Sequence, residues 1–158
     1  MTQFQPRDPG FAERVRASFG RQGIMGLLGA RLETVEPGLV RIALPYRAEL
    51  TQQHGFFHAG ATSTIADSAG GYAAFTLFPA ESSVLTVEFK INLLAPARGA
   101  RLVATGTVLK PGRTLTICTF EVEAIGADGG ATLCAQGMQT LICQHGRPDS
   151  PPADSPAA

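Results

Sequence analysis

Apolar and polar residues alternate with two different periods along this chain, and each change of period marks a new structural element. Near the N-terminus, Phe11, Val15 and Phe19 recur every four residues with charged residues between them. This spacing predicts a short amphipathic helix that ends at Gly20. The apolar stretch that follows, residues 23–29, is punctuated by glycines and is interpreted as a connector that packs against the rest of the protein.

The next part of the chain predicts a hairpin followed by a long helix. Residues 30–35 and 39–44 alternate between apolar and polar, and Glu36-Pro37-Gly38 between them is typical of a turn. From about residue 59 to residue 77 the apolar positions recur every fourth residue, at Ala61, Ile65, Ala69, Ala73 and Leu77. The segment is rich in small residues, including glycines that weaken a helix, which indicates that its backbone lies close to a sheet.

Four more strands are predicted after this helix, because alternation returns and turn residues separate the alternating stretches. They cover residues 83–94, 101–110, 115–125 and 131–143. A single helix cannot cover both faces of the resulting six-stranded sheet. We therefore predict an α+β protein in which the sheet curls around one long central helix and pairs with another copy of the chain.

The chain is expected to form one domain with two short extensions. Its 158 residues suffice for a single hydrophobic core. We divide it into an N-terminal helix and arm (1–22), a sheet-and-helix domain (23–145) and a C-terminal tail (146–158). The tail is proline-rich and polar, so it is predicted to be disordered.

Composition argues against several classes of function. Thirteen basic and thirteen acidic residues cancel and no basic run occurs, so nucleic acid is not an expected partner. No apolar run reaches the roughly 18 residues of a membrane span, and the first residues lack the pattern of a signal peptide. We therefore expect a cytoplasmic protein without a membrane partner. Cys118, Cys134 and Cys143 lack metal-ligand spacing and are interpreted as reduced core residues.

Asp67 is the first candidate for chemistry. It is a carboxylate within an otherwise apolar, small-residue helix, where an ionisable group is costly unless it is used. The alternative is a structural aspartate that bonds to a neighbouring backbone group or threonine hydroxyl. Nine residues separate Asp67 from His58, which puts the two about 13 Å apart along the helix axis and on opposite sides. If both serve one site, two subunits must contribute to it.

The predicted start of the long helix is a second candidate. Its first N–H groups have no partner within the helix and carry the positive end of the helix dipole. Small residues at Ala59 and Gly60 leave these donors open to an oxyanion. Helix N-termini are common, and His58 at this position is also explained as a cap, so this signal is weak alone.

These residues together resemble the hotdog-fold thioesterases of the phenylacetate (PaaI-type) family, over about residues 25–144. The family pattern is Asn-x-x-Gly-x-x-His-Gly-Gly, then an Asp, then a Ser or Thr early in the next strand. In order, it falls on Gln52, Gly55, His58, Ala59, Gly60, Asp67 and Thr86. Two residues depart from it: Gln52 lengthens the amide side chain, and Ala59 replaces a glycine but keeps the N–H.

The resemblance implies a hotdog fold, with an antiparallel six-stranded sheet around the helix, and hydrolysis of an acyl-CoA thioester. It implies a homodimer or a dimer of dimers. Neither a cofactor nor a metal is expected. Asp67 would act as general base or nucleophile, and Thr86 would orient the water or the carboxylate. The N–H groups of Ala59 and Gly60 would polarise the carbonyl, and Gln52 and His58 would shape the pocket.

Substrate contacts are expected from His54, Gly55, Phe57 and Arg113, with Arg113 on the nucleotide. Which of Gln52, Gln53 or His54 positions the water stays open. The phenylalanines and the connector suggest an apolar acyl pocket, without separating aryl from aliphatic groups. The alternative functions are a non-catalytic acyl-CoA sensing module and a hotdog dehydratase. The pairing of Asp67 with Thr86 favours hydrolysis over the sensing module, and the lack of an Asp-x-Asn-Pro-x-His or His-Phe-Pro stretch argues against the dehydratase.

Overall fold

The computed structural model describes residues 4–150, in three α-helices, a short 3-10 helix (Ala48–Leu50) and six strands. The helices are α1 (Phe11–Arg21), α2 (Gly23–Leu28) and α3 (Ala59–Phe75). The strands are β1 (Arg31–Glu36), β2 (Leu39–Pro45), β3 (Ser82–Leu93), β4 (Arg101–Lys110), β5 (Leu115–Ile125) and β6 (Ala131–His145). The predicted α+β class, with a hairpin, a long helix and four further strands, is confirmed.

All six strands form one antiparallel sheet in the order β1-β2-β4-β5-β6-β3. β3 follows α3 in the chain but lies at the far edge of the sheet, beside β6. The sheet therefore surrounds α3, which contacts every strand from β2 to β6. Within residues 4–150, no helix has the length and apolarity needed to cross a membrane.

Small residues let α3 lie against the sheet at close range. A Cβ on Gly106 of β4 would run into the backbone of Ala69 and Gly70, so only glycine fits that position. Twelve of the 17 residues of α3 are buried, so the polar face of this helix is narrower than that of a typical amphipathic surface helix. Cys118, Cys134 and Cys143 are buried thiols, as predicted.

The segment predicted as a connector is a short helix, and that part of the prediction is wrong. Met25 and Leu28 of α2 are buried, whereas Ile24 and Leu27 point outward. Gly29 ends the helix in the left-handed conformation, with φ of 74°. Glycine lowers the helix propensity of this segment, so the sequence alone does not predict a helix here. Tertiary packing stabilises the helix instead.

The N-terminal helix is tied to the end of α3 by Arg14. Its guanidinium donates to the carbonyls of Phe78 and Pro79 at 2.8 and 2.7 Å, and it stacks 4.1 Å from the ring centroid of Phe75. Asp8 pairs with the same guanidinium at 3.0 Å. Arg14 thereby satisfies carbonyls that follow the C-terminus of α3.

The β3 strand carries an exposed apolar surface at the edge of the sheet. Within the described part of the chain it pairs with β6 alone, and a bulge at Val87 interrupts that ladder. Its exposed apolar residues, together with the one that follows, are Leu85, Val87, Phe89, Leu93 and Leu94. An open edge with this composition is suited to pairing with another chain.

Residues 146–150 follow β6 and return towards α1. Arg21 donates to the carbonyl and the carboxylate of Asp149 at 2.5 and 2.6 Å. The remainder of the predicted tail, residues 151–158, lies outside the described residues, as do residues 1–3.

Candidate active site

Asp67 and Thr86 form a hydrogen-bonded pair beside a cavity. The hydroxyl of Thr86 donates to Oδ1 of Asp67 at 2.7 Å, across the gap between α3 and β3. Asp67 is half-buried, and burial raises the pKa of its carboxyl group, while the bond from Thr86 lowers it in part. The carboxylate therefore bonds to a threonine hydroxyl, as the structural reading of Asp67 expects, but it also faces a cavity.

That cavity, called here the Asp67 cavity, has a volume of about 550 Å³ and lies between α1, α3 and β3. Its polar lining includes Ser18, Arg21, Gln22, Ser68, Tyr72 and Asp149. Ser18 and Tyr72 share a hydrogen bond of 3.1 Å. Of the phenylalanines expected to form an apolar pocket, none lines this cavity: Phe75 is fully buried in the core, and Phe56 and Phe57 line a different cavity, described below.

The N-terminus of α3 is capped by His58. Its backbone is extended, and its Nδ1 accepts a hydrogen bond of 2.8 Å from the N–H of Gly60. The Gly60 N–H is therefore already engaged, contrary to the expectation that it joins Ala59 as an open donor. Within residues 4–150, the N–H of Ala59 donates to no acceptor, and Ala59 is exposed.

Gln52 and Gly55 build the turn that precedes the cap. The N–H of Gly55 donates to the carbonyl of Gln52 at 2.9 Å, and Gly55 has a φ of 80°, which favours glycine. The side-chain oxygen of Gln52 accepts from the N–H of His54. Gln52 thus uses its amide oxygen to hold the loop, while Gln53 and His54 are exposed.

A second cavity of about 480 Å³ lies beside the helix start and is called here the Ala59 cavity. Gln52, Phe57 and Ala59 line it together with apolar residues after β3, including Leu94 and Pro96. Phe57 is buried and packs edge-on against Tyr46, with ring centroids 5.6 Å apart. Arg98 lies 4.9 Å from the ring centroid of Phe56.

The two cavities share no lining residue within one protomer. Asp67 and Thr86 line one, and Gln52 and Ala59 line the other. The separation agrees with the helix geometry, which put Asp67 far from its own helix start. Arg113 lines neither cavity, and its carbonyl accepts from Nε2 of His145 at 2.8 Å.

The sequence did not indicate that several other polar residues lie around Asp67. Ser18 and Gln22 belong to the polar side of α1 and the residue after it, which resembled an ordinary solvated face. Gln139 is fully buried on β6, and its Nε2 donates to the backbone carbonyl of Asp67 at 3.1 Å. A glutamine at an inward position of an alternating strand is the one signal that could have identified it.

A family model described as the thioesterase superfamily matches residues 54–131. The crystal structure of a thioesterase family protein from Silicibacter pomeroyi is 51% identical, with a TM-score of 0.85 over 87% of this chain and 100% of that one. The PaaI protein of E. coli, from the phenylacetic acid degradation operon, has a TM-score of 0.73 at 17% identity, covering 84% of this chain and 91% of that one. The 1,4-dihydroxy-2-naphthoyl-CoA hydrolase of Escherichia coli is 24% identical over 125 residues, which are 79% of this chain and 90% of that protein.

Proposed function

The chain belongs to the thioesterase superfamily, and from that premise we propose that it hydrolyses an acyl-CoA thioester to a free acid and CoA, at a site shared between two subunits. The hotdog fold and the likeness to PaaI-type thioesterases, expected from the motif, agree with the comparisons. CoA as the thiol carrier is supported by the name of the E. coli relative, which is a CoA thioester hydrolase.

The observation that carries the proposal is the half-buried carboxylate of Asp67 beside a cavity. Thr86 holds Oδ1, so Oδ2 is the oxygen that accepts a proton from water. The raised pKa makes this carboxylate a stronger base than an exposed aspartate. Water adds to the thioester carbon as Asp67 takes its proton, and collapse of the tetrahedral intermediate expels the CoA thiolate. Direct attack by Asp67, followed by hydrolysis of the anhydride, uses the same geometry.

The negative charge that develops on the carbonyl oxygen needs a donor, and the partner subunit's Ala59 would supply it. Its N–H lies at the positive end of a helix and is not otherwise engaged within residues 4–150. Asp67 cannot reach the Ala59 N–H of its own chain, because eight residues of α3 put the two roughly 12 Å apart along the helix axis. Pairing of two β3 edges would cover the exposed apolar residues of that strand and complete the site.

The remaining motif residues support this site. His58 holds the helix start in place through Gly60, and Gln52 and Gly55 set the loop that carries His58. Phe57 forms part of the wall of the Ala59 cavity. His54 lies on the exposed side of that loop, where we assign it to the outer part of the substrate. Arg113 is assigned to the CoA phosphates of a neighbouring subunit, since its own protomer places it away from both cavities.

Release of free thiol from a panel of acyl-CoAs tests the proposal. Asp67→Asn should lower turnover by about 10²- to 10⁴-fold, because the amide cannot take a proton from water. Asp128→Asn is the matched control, since Asp128 lies in an exposed turn between β5 and β6. A wild-type protein that binds acyl-CoA but releases no thiol would be the sensing module instead. Equal rates for wild type and Asp67→Asn would show that Asp67 is not the base.

A further inference from the structure

A buried amide reaches α3 from the sheet at the position of Asp67. Gln139 of β6 is 0% exposed, and its Nε2 donates to the Asp67 carbonyl at 3.1 Å. That carbonyl lies in mid-helix, where it already accepts the N–H four residues further on. The bond from Gln139 is therefore a second hydrogen bond to this carbonyl. It links β6 to α3 at Asp67, whose side chain is the proposed base.

The structure keeps this amide although it destabilises the core. Oε1 of Gln139 is buried without a hydrogen-bond partner within residues 4–150. Leu141, the next inward residue of β6, shows that an apolar side chain is accommodated on the same face. A buried polar group that is only half satisfied costs stability, so its presence calls for a function.

Space for the amide is made by Gly70, three residues after Asp67. A Cβ on Gly70 would lie 2.7–2.8 Å from the carboxamide atoms of Gln139. On the other side, a Cβ on Gly106 of β4 would lie 2.3–2.4 Å from backbone atoms of Ala69 and Gly70. The turn of α3 that follows Asp67 is thus held by two strands and cannot rotate about the helix axis.

Gln139 and Thr86 also belong to neighbouring strands. Thr86 pairs with Leu141 in the β3–β6 ladder, two residues from Gln139. Asp67 is therefore held at two points by one pair of strands, at its carbonyl by Gln139 and at its carboxylate by Thr86.

We propose that Gln139 is a positioning residue. It fixes the rotation of α3 about its axis and its distance from the sheet at Asp67, so that the carboxylate contacts both Thr86 and the attacking water. The inference rests on the proposed hydrolysis and adds a residue outside the family motif. Gln139 touches no reacting atom and acts through the backbone of Asp67.

Gln139→Leu tests this, because leucine fills the space without a donor. We expect kcat for thiol release to fall roughly tenfold or more with KM within about twofold, since a small displacement of a catalytic group lowers turnover strongly. The acid limb of the pH profile should also move, because Asp67 changes its surroundings. Ile42→Val is the matched control: Ile42 is equally buried, but it lies on β2, which β4 and β5 separate from β6, and it lines neither cavity.

Titration of the Asp67 carboxyl group by ¹³C NMR provides a readout that needs no turnover. A changed titration midpoint in Gln139→Leu, but not in Ile42→Val, supports the positioning role. If leucine prevents folding, Gln139→Asn keeps an amide but withdraws the donor by one methylene, and the same shifts are expected. Unchanged kcat, pH profile and titration in a folded Gln139 variant would overturn the inference, even if its Tm falls.

The outcomes separate this inference from the proposed function. If Asp67→Asn abolishes thiol release while Gln139→Leu retains it fully, hydrolysis at Asp67 stands and the positioning role fails. If Asp67→Asn is as active as wild type, the proposed base fails first. The NMR titration then still decides whether Gln139 controls the environment of Asp67.

Discussion

The N–H of Gly60 donates to Nδ1 of His58 at 2.8 Å, so this N–H is not an open donor at the start of α3. His58 turns its ring back onto the first turn of α3 as an N-cap. Ala59 is left as the first residue of the helix, with an unengaged N–H within the described part of the chain.

Ala59→Pro should therefore remove the proposed oxyanion donor without disturbing the helix. Proline is favoured at the first position of a helix, and His58 already has the extended backbone, with ψ of 142°, that a residue before proline requires. We expect kcat to fall by about 10²- to 10³-fold with an unchanged circular dichroism spectrum. Ala59→Ser, which keeps the N–H, is the control. Wild-type turnover in Ala59→Pro would exclude this N–H as the donor.

Thr86 should affect turnover and its pH dependence together. Its hydroxyl bonds to Asp67 and lowers the pKa that burial raises. Thr86→Ala removes the opposing effect, so the pKa of Asp67 should rise further and the acid limb of kcat should move to higher pH. The kcat value should fall more than KM rises, because the hydroxyl orients the carboxylate and does not hold substrate. Thr86→Ser should behave like wild type, and an effect confined to KM would contradict the assignment.

The sequence predicted α3 and the strands because each has a single dominant period. The long helix is recognisable from apolar residues at every fourth position, and its small residues indicated close packing on a sheet. The helix α2 was not recognisable, because Gly23 and Gly26 give it little intrinsic helix propensity. Its stability comes from Met25 and Leu28 in the core, which is a property of the tertiary structure.

The part of the site that could be predicted is the residue whose charge differs from its apolar neighbours in the sequence. The part formed by the packing of separate elements could not be predicted. Asp67 contradicts an apolar helix, so composition alone identified it. Ser18 and Tyr72 are ordinary residues of two helices, and only the packing of α1 against α3 brings their hydroxyls together. For that reason, no local pattern in the sequence predicts the polar Asp67 cavity.

Arg14 should contribute strongly to stability without contributing to the site. Its guanidinium satisfies the carbonyls of Phe78 and Pro79 in a partly buried position. Arg14→Ala leaves the Phe78 carbonyl without its side-chain donor, while the Pro79 carbonyl keeps only the hydroxyl of Ser82, and we expect a loss of about 2–4 kcal/mol in the free energy of unfolding. Arg16→Ala, at an exposed position of the same helix, should change it by less than about 0.5 kcal/mol. Urea unfolding of both variants measures the difference, and equal losses would contradict the capping role.

Asp67 should lower the stability of the protein at neutral pH. Its pKa in the folded state is raised from the ordinary value of 3.8, so the folded state binds the proton more tightly than the unfolded chain does. The penalty is absent below the unfolded pKa, where both states are protonated, and it is complete once pH has risen through the folded pKa. Asp67→Asn should therefore raise Tm at pH 7 by on the order of a few °C, and the gain should shrink towards pH 3. A gain that does not depend on pH would show that the charge of Asp67 is not its cause.

Mixing two inactive variants should restore activity if the site is shared between subunits. Asp67→Asn lacks the base and Ala59→Pro lacks the donor, yet a mixed dimer contains one site with both groups intact. Random reassociation makes half of the dimers mixed, each with one working site of two, so about a quarter of wild-type turnover is expected after mixing and none before it.

The subunits are exchanged by dilution and reconcentration, and thiol release is measured at constant total protein. The double variant mixed with itself is the control. A mixture that stays inactive although exchange is confirmed by mass spectrometry would mean that base and donor act within one chain, which requires α3 to adopt a different geometry from the one described.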